Sequence, residues 1–251
     1  MEPHKVLELG PDFDAPSLSD KPTEYFRKAL KFALEHYGEE IERISSVKPE
    51  NVTPDFFFKE YVWVVHATGF SAKAVGNFMP RLLDAYGPWE TLSKESFGDV
   101  MERVKVVCNN PQKARAVQET ARLMSDRVYG GDGASKEERW DEFKTRMFTT
   151  TALAELPYIG KVTCFHLGRN VGLLDCVKPD LHFVRMAEHW GFADCTKMCE
   201  SMQTWLEEET GEKLPLGVID LILWYSASSW GTSEIKKPGK RLLMLVRHSW
   251  R

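Results

Sequence analysis

The chain has 251 residues, 43% apolar and 28% charged, the makeup of a globular protein with a sizeable core. No apolar run approaches the roughly 20 residues of a membrane span, and the polar opening MEPHKVLELG does not read as a signal peptide. A net charge of −4 excludes a uniformly basic nucleic-acid binder; five scattered cysteines (Cys108, Cys164, Cys176, Cys195, Cys199) point to a reducing compartment rather than a disulfide framework.

Residues 1–20 read as an extended lead-in, with Pro3, Gly10, Pro11 and Pro16 breaking any period. Ser19 or Asp20 offers an N-cap and Pro22 suits a first turn. Tyr25, Phe26, Leu30, Phe32 and Ala33 then give a helical apolar stripe to about Ile44. Two helices are predicted over 56–86, broken near Thr68-Gly69-Phe70-Ser71, where Gly69 closes one and Ser71 caps the next. Another short helix is expected over 93–107. Asn109-Asn110-Pro111 starts an amphipathic helix through Ala114, Val117, Ala121 and Leu123 to about Val128. The polar loop YGGDGASKEE is the one convincing internal break, with Ser135 and Glu138 forming a capping-box match. Helices then fill most of 136–155, 161–174, 180–191, 194–210 and 215–229. With almost no alternating segments, the predicted class is all-α: an extended segment 1–20, then a helical domain 21–251.

Beyond Glu234 the chain reads IKKPGKRLLMLVRHSWR, carrying Lys236, Lys237, Lys240, Arg241, Arg247 and Arg251 and no acid. It is either a phosphate-tracking edge or a solvated terminal helix.

The stretch LPYIGKVTCFHLG carries more information. Leu156 and Pro157 end one helix, Ile159 pins the turn, and Gly160 lets the backbone swing into a helix expected to begin at Lys161. Free amides at a helix N-terminus beside a lysine make an anion site. About twenty residues on comes Asp175-Cys176-Val177-Lys178-Pro179-Asp180-Leu181-His182-Phe183-Val184-Arg185. Pro179 and Asp180 suit a helix start, where the dipole favours a carboxylate; alternatively Asp180 is simply an N-cap.

These segments resemble the helix-hairpin-helix DNA glycosylase superfamily. Its hairpin reads like L-P-G-V-G-x-x-T-A, matched here at Leu156, Pro157, Ile159, Gly160 and Thr163. A V-D-T-H-V-x-R-like segment follows at this distance, matched at Asp180, His182, Val184 and Arg185. NNPQKARAVQETARLM is similar to the family's N-x-x-K-A-x-x-I helix, with Lys113 and Ala114 in register, and 57–86 resembles its early helix pair. The likeness spans roughly 57–190 in consistent order. It implies two helical lobes around a cleft and a duplex DNA partner with one base flipped out. Asp180 would be the essential carboxylate, stabilising positive charge on the sugar as the base leaves. Gly160, Lys161 and Thr163 would grip a phosphate, and the Thr68–Ser71 loop with Phe70 at its tip would fill the hole in the stack. Lys113, His182 and Arg185 join the expected DNA contacts. A monomer without a cofactor, cytoplasmic or nucleoid-associated, is expected.

Three departures bear on activity. Members that cleave the strand through a Schiff base carry a lysine where this chain has Val162; Lys161 stands one residue early. Tyr158 replaces the hairpin's first glycine, so the phosphate loop is distorted or Tyr158 itself contacts DNA. Lys178-Pro179 precedes the aspartate where the family prefers an apolar residue, and Lys178 is either a partner in the chemistry or a solvated loop charge.

Three functions follow as expectations. The first is a monofunctional glycosylase hydrolysing the N-glycosidic bond of a damaged or modified base. The second is a transferase like the glycosylase-like phage enzymes that couple an amino acid to 5-phosphomethyl-uracil in DNA without excision, with an amino acid as co-substrate. The third is a non-catalytic binder of DNA structure. Cys195 and Cys199, four apart near His182 and His189, are read as packing residues with no metal expected; an iron–sulfur cluster would need four cysteines, and none follows Cys199. His66 and His166 fall on apolar helices and are read as core histidines.

Overall fold

The computed structural model describes residues 21–70, 72–130 and 134–230, with no account of the side chains of 72, 73, 229 and 230. Ser71 and the basic run beyond Glu234 lie outside the described residues, as does the extended lead-in 1–20. Every regular element described is helical, with no strand among them: α1 (Pro22–Ser45), a 3-10 turn (Pro49–Asn51), α2 (Pro54–Ala67), α3 (Ala72–Tyr86), α4 (Trp89–Leu92), α5 (Phe97–Val104), α6 (Pro111–Tyr129), α7 (Lys136–Met147), α8 (Thr150–Leu153), α9 (Thr163–Asn170), α10 (Leu181–His189), α11 (Cys195–Thr210) and α12 (Leu216–Trp230). The all-α expectation holds. No described helix is long and apolar enough to cross a membrane. The chain divides into two compact units, the division falling within α9 between Leu167 and Gly168.

The first unit, over Lys48–Leu167, is built on α2. Thr53 accepts the Phe56 N–H at 3.2 Å and starts the helix just before Pro54. Phe57, Phe58, Tyr61, Val62, Val64 and Val65 are buried on nearly all sides of it, which makes α2 a central helix rather than an amphipathic cover. Helices α3 and α6 pack on it. Asn110 caps α6 by accepting the Lys113 N–H at 3.1 Å, and Ala114, Val117, Ala121 and Met124 form its inner stripe. The capping box at Ser135 and Glu138 is formed in both directions. Trp140 stacks on Phe143 at 4.8 Å and donates its indole N–H to the Val52 carbonyl at 2.6 Å. A buried ring thereby keeps its polar atom satisfied.

Three predicted helices are shorter or divided. Within 93–107 the helix α5 covers only Phe97–Val104, starting after Ser96, whose hydroxyl accepts the Asp99 N–H at 3.2 Å. The helix over 136–155 stops at Met147. There Phe148 leaves helical geometry (ψ 58°) and stacks its ring on Phe57 at 5.7 Å, and Thr149 caps the one-turn α8. The helix expected over 161–174 runs from Thr163 to Asn170 only, and Gly172 beyond it takes φ 93°.

The second unit holds described residues 21–47 and 168–230. Its centre is α12, where Val218, Ile219, Leu221, Ile222, Leu223 and Tyr225 are all buried. Helix α1 lays Tyr25, Phe26, Ala29, Phe32 and Ala33 along it. Tyr37 breaks α1 with φ −133°, and its ring stacks on Tyr225 with centroids 4.0 Å apart. Helices α10 and α11 close the same core through Phe183, Met186, Met198, Cys199 and Met202.

Candidate functional site

The hairpin segment lies in the first unit. Past α8 the chain turns through Leu156 and Ile159, both buried, with the Ile159 N–H donated to the Leu156 carbonyl at 3.0 Å. Tyr61 of α2 donates its hydroxyl to the Pro157 carbonyl, fixing the turn to the central helix. Tyr158 takes φ 64°, the one described non-glycine residue with positive φ. A tyrosine there costs about 1–2 kcal/mol relative to an ordinary conformation, and its ring is 39% exposed. A left-handed turn of the kind that glycine makes without strain is thus made here by a tyrosine, at the cost of strain.

The helix of the hairpin begins two residues later than expected, which changes the anion site. Thr163 turns its hydroxyl back on the turn, accepting the Gly160 N–H at 2.8 Å and donating to the Gly160 carbonyl at 3.3 Å. The Gly160 amide is therefore engaged within the turn rather than pointing outward as the start at Lys161 required. Lys161 itself is exposed.

Lys113 is placed otherwise than a surface phosphate contact demands. It is only 2% exposed, and its ammonium donates to the Thr68 carbonyl at 2.6 Å and the His66 carbonyl at 3.2 Å. These carbonyls lie at the C-terminal end of α2, where unpaired acceptors and the helix dipole both favour a cation. Desolvation holds the ammonium below the usual lysine range. The same nitrogen lies 4.8 Å from the centroid of Phe70 and 5.8 Å from that of Tyr158. Phe70 is 47% exposed at the tip of its loop, after Gly69 in the left-handed region at φ 83°. Beside the hairpin an open pocket of about 330 Å³ is lined by Gln112, Arg115, Glu119, Pro157 and Tyr158.

His66, on the buried face of α2, shares a 3.0 Å hydrogen bond through Nε2 with the Tyr86 hydroxyl. It is a core histidine, as its apolar helix implied. Burial, with the Lys113 ammonium adding, pushes its imidazole down to about 3.

Asp180 lies in the second unit. It is the N-cap of α10: its Oδ1 accepts the N–H groups of His182 at 3.0 Å and Phe183 at 3.2 Å. Its Oδ2 lies 3.6 Å from the Lys178 ammonium, and the two side chains are only 15% and 20% exposed. Lys178 is thus paired with the carboxylate rather than dispersed into solvent. His182 and Arg185 follow on α10 and are half-buried.

Two residues that the sequence reading did not single out support this loop. Asp220 of α12 accepts the Lys178 backbone N–H through Oδ1 at 3.3 Å, and its Oδ2 forms an ion pair with Arg169 of α9. Both side chains are buried, and burial pushes the Asp220 carboxyl up to about 6 against the opposing pull of Arg169. A single acid in the apolar run GVIDLILW was the available signal, since an unpaired buried charge is not tolerated. Gly217 completes the support. Its N–H is donated to the Leu174 carbonyl at 2.6 Å, and a Cβ there would stand 2.8 Å from that carbonyl oxygen.

All five cysteines are free and buried, and burial pushes the Cys195 thiol up to about 12. Among the described residues no group of three or more His, Cys, Asp or Glu side chains is arranged to hold a metal ion. Comparison of the chain with protein-family models, curated proteins and solved structures finds no match.

Proposed function

We propose that this chain acts on DNA at a base turned out of the duplex and hydrolyses its N-glycosidic bond, with Asp180 as the key group. One observation carries the reading. Asp180 Oδ1 is fixed by two backbone N–H groups, which leaves Oδ2 on a carboxylate that cannot swing away. A preoriented carboxylate of this kind stabilises positive charge developing on the sugar without reorganising during the reaction. The resemblance over Leu156–Arg185 supplies the substrate class, and the exposed rings of Phe70 and Tyr158 suit a surface that replaces stacking lost by a flipped base. Val162 in place of a lysine speaks for hydrolysis without strand cleavage. The test is Asp180→Asn, which keeps an N-cap oxygen. Base release is expected to vanish while duplex binding persists, and unchanged release overturns the proposal.

A second reading is favoured by the Lys178 ammonium 3.6 Å from Asp180 Oδ2. An ammonium beside the carboxylate weakens its stabilisation of a sugar cation but suits an anionic group on the base. That points to transfer of an amino acid onto 5-phosphomethyl-uracil in DNA. Incubation with such DNA and glycine, followed by nucleoside mass analysis, separates the two. In transfer the glycine amine displaces phosphate from the phosphomethyl carbon. A glycine-bearing base without its phosphate in an intact strand, with phosphate released, therefore supports transfer, and an abasic site supports excision.

A further inference from the structure

We infer that Lys113 is a positioning residue that binds Phe70 and Tyr158 into one stacking element, so that the loop and the hairpin engage DNA as a unit. The inference rests on the reading that the first unit binds DNA. Three features of the geometry lead to it. The ammonium of Lys113 is the shared neighbour of both rings, at 4.8 and 5.8 Å. It is buried and already donates to the carbonyls of His66 and Thr68, so it is committed to holding the end of α2 and the loop that carries Phe70. Both rings are exposed, at 47% and 39%, in segments whose backbone is set in the left-handed region at Gly69 and Tyr158. A cation under a ring face orients the ring by attraction to its quadrupole. Here one cation orients two rings carried by segments 88 positions apart in sequence.

The consequence is a coupling between residues that are far apart along the chain. Removing either ring frees the other from part of its orientation, and removing the cation loosens both. Lys113 acts through them and does not itself meet a phosphate, because its donors are turned inward.

The experiment uses the full chain and a duplex with 2-aminopurine beside a mismatch, whose fluorescence rises on unstacking. Affinity is measured by anisotropy over a range of salt. Phe70→Ala and Tyr158→Ala, both surface changes, are each expected to lower affinity roughly fivefold or more, as loss of one stacking contact does. The double variant is expected to lose less affinity than the product of the two single losses. Lys113→Met is expected to give the same loss and the same damped fluorescence with an unchanged salt slope, and Lys113→Arg to restore both. Additive losses at Phe70 and Tyr158 overturn the inference, even if Lys113→Met proves too unstable to measure. So does a salt slope reduced by about 0.9 in Lys113→Met, the mark of a lost phosphate contact. Absence of DNA binding by the unaltered protein overturns the functional reading as well, whereas additive losses in a protein that binds overturn this inference alone.

Discussion

Asp220 holds the backbone N–H of Lys178 at 3.3 Å while its other oxygen meets Arg169. A buried acid on one helix thus fixes the loop two residues before Asp180. Removing one partner of a buried pair leaves the other charge uncompensated, which costs about 3–5 kcal/mol. Asp220→Leu is therefore expected to lower stability by about that amount in urea denaturation. Asp220→Asn keeps an acceptor for Lys178 and is expected to lose less stability. Its base release should fall while DNA affinity stays within twofold. A fully active Asp220→Leu protein contradicts this account of the loop.

Gly217 meets the same loop from the other side, with a Cβ position 2.8 Å from the Leu174 carbonyl oxygen and 3.2 Å from that of Cys176. Both neighbours are backbone and yield only if the loop moves. Gly217→Ala is expected to destabilise by about 1–3 kcal/mol, despite the helix propensity that alanine adds. A rise in Tm for this variant would show that the loop gives way freely.

Substitution separates the capping role of Asp180 from its proposed chemistry. Asp180→Ala removes the cap of α10 and is expected to cost about 1 kcal/mol. Asp180→Asn leaves two capping bonds in place and is expected to be nearly neutral in thermal unfolding. If both variants lose base release equally while only the first melts early, the carboxylate charge is what the chemistry uses.

Tyr158 trades stability for its surface ring. At φ 64° a glycine is relaxed where a tyrosine is strained. Tyr158→Gly is therefore expected to gain up to about 1 kcal/mol of stability, less what the freer unfolded chain takes back. The same change removes an exposed ring and should weaken DNA binding. A variant that is both less stable and equally good at binding would contradict the assignment of strain.

The pH dependence of stability should carry the signature of His66. Its folded value, near 3, lies below the unfolded 6.5, so the native state resists protonation. The stability it allows is complete above about pH 6.5 and falls as the pH drops toward 3, by about 2 kcal/mol at pH 5. Asp220 works in the opposite sense between 3.8 and about 6, since its raised value favours the protonated native state there. Comparing the protein with His66→Gln isolates the histidine. The variant's stability curve should be flatter over pH 4–6.5, and parallel curves would refute the assignment.

Periodicity and capping made the helical class legible, because Asn110, Ser135 and Asp180 each announce a helix start through local bonds visible in sequence. The break at Phe148 was not legible, since it depends on a ring reaching Phe57 ninety-one positions away. Asp180 was singled out because its neighbours resemble a motif. Arg169 and Asp220 were missed because their meaning lies in each other, across the two intervening helices α10 and α11. Lys113 was singled out as a DNA contact, but its spacing was silent on depth: a lysine on an amphipathic helix is ordinarily solvated, and here two carbonyls at the end of α2 draw it inside.

Each unit carries its own hidden thiols, Cys108 and Cys164 in one, Cys176, Cys195 and Cys199 in the other. A buried thiol reacts with an alkylating reagent only when the structure around it opens. Timed labelling followed by peptide mass analysis would therefore clock the opening of the two units separately in a single unmodified sample. Each thiol would register whether DNA slows the breathing of the hairpin half, the Asp180 half, or both.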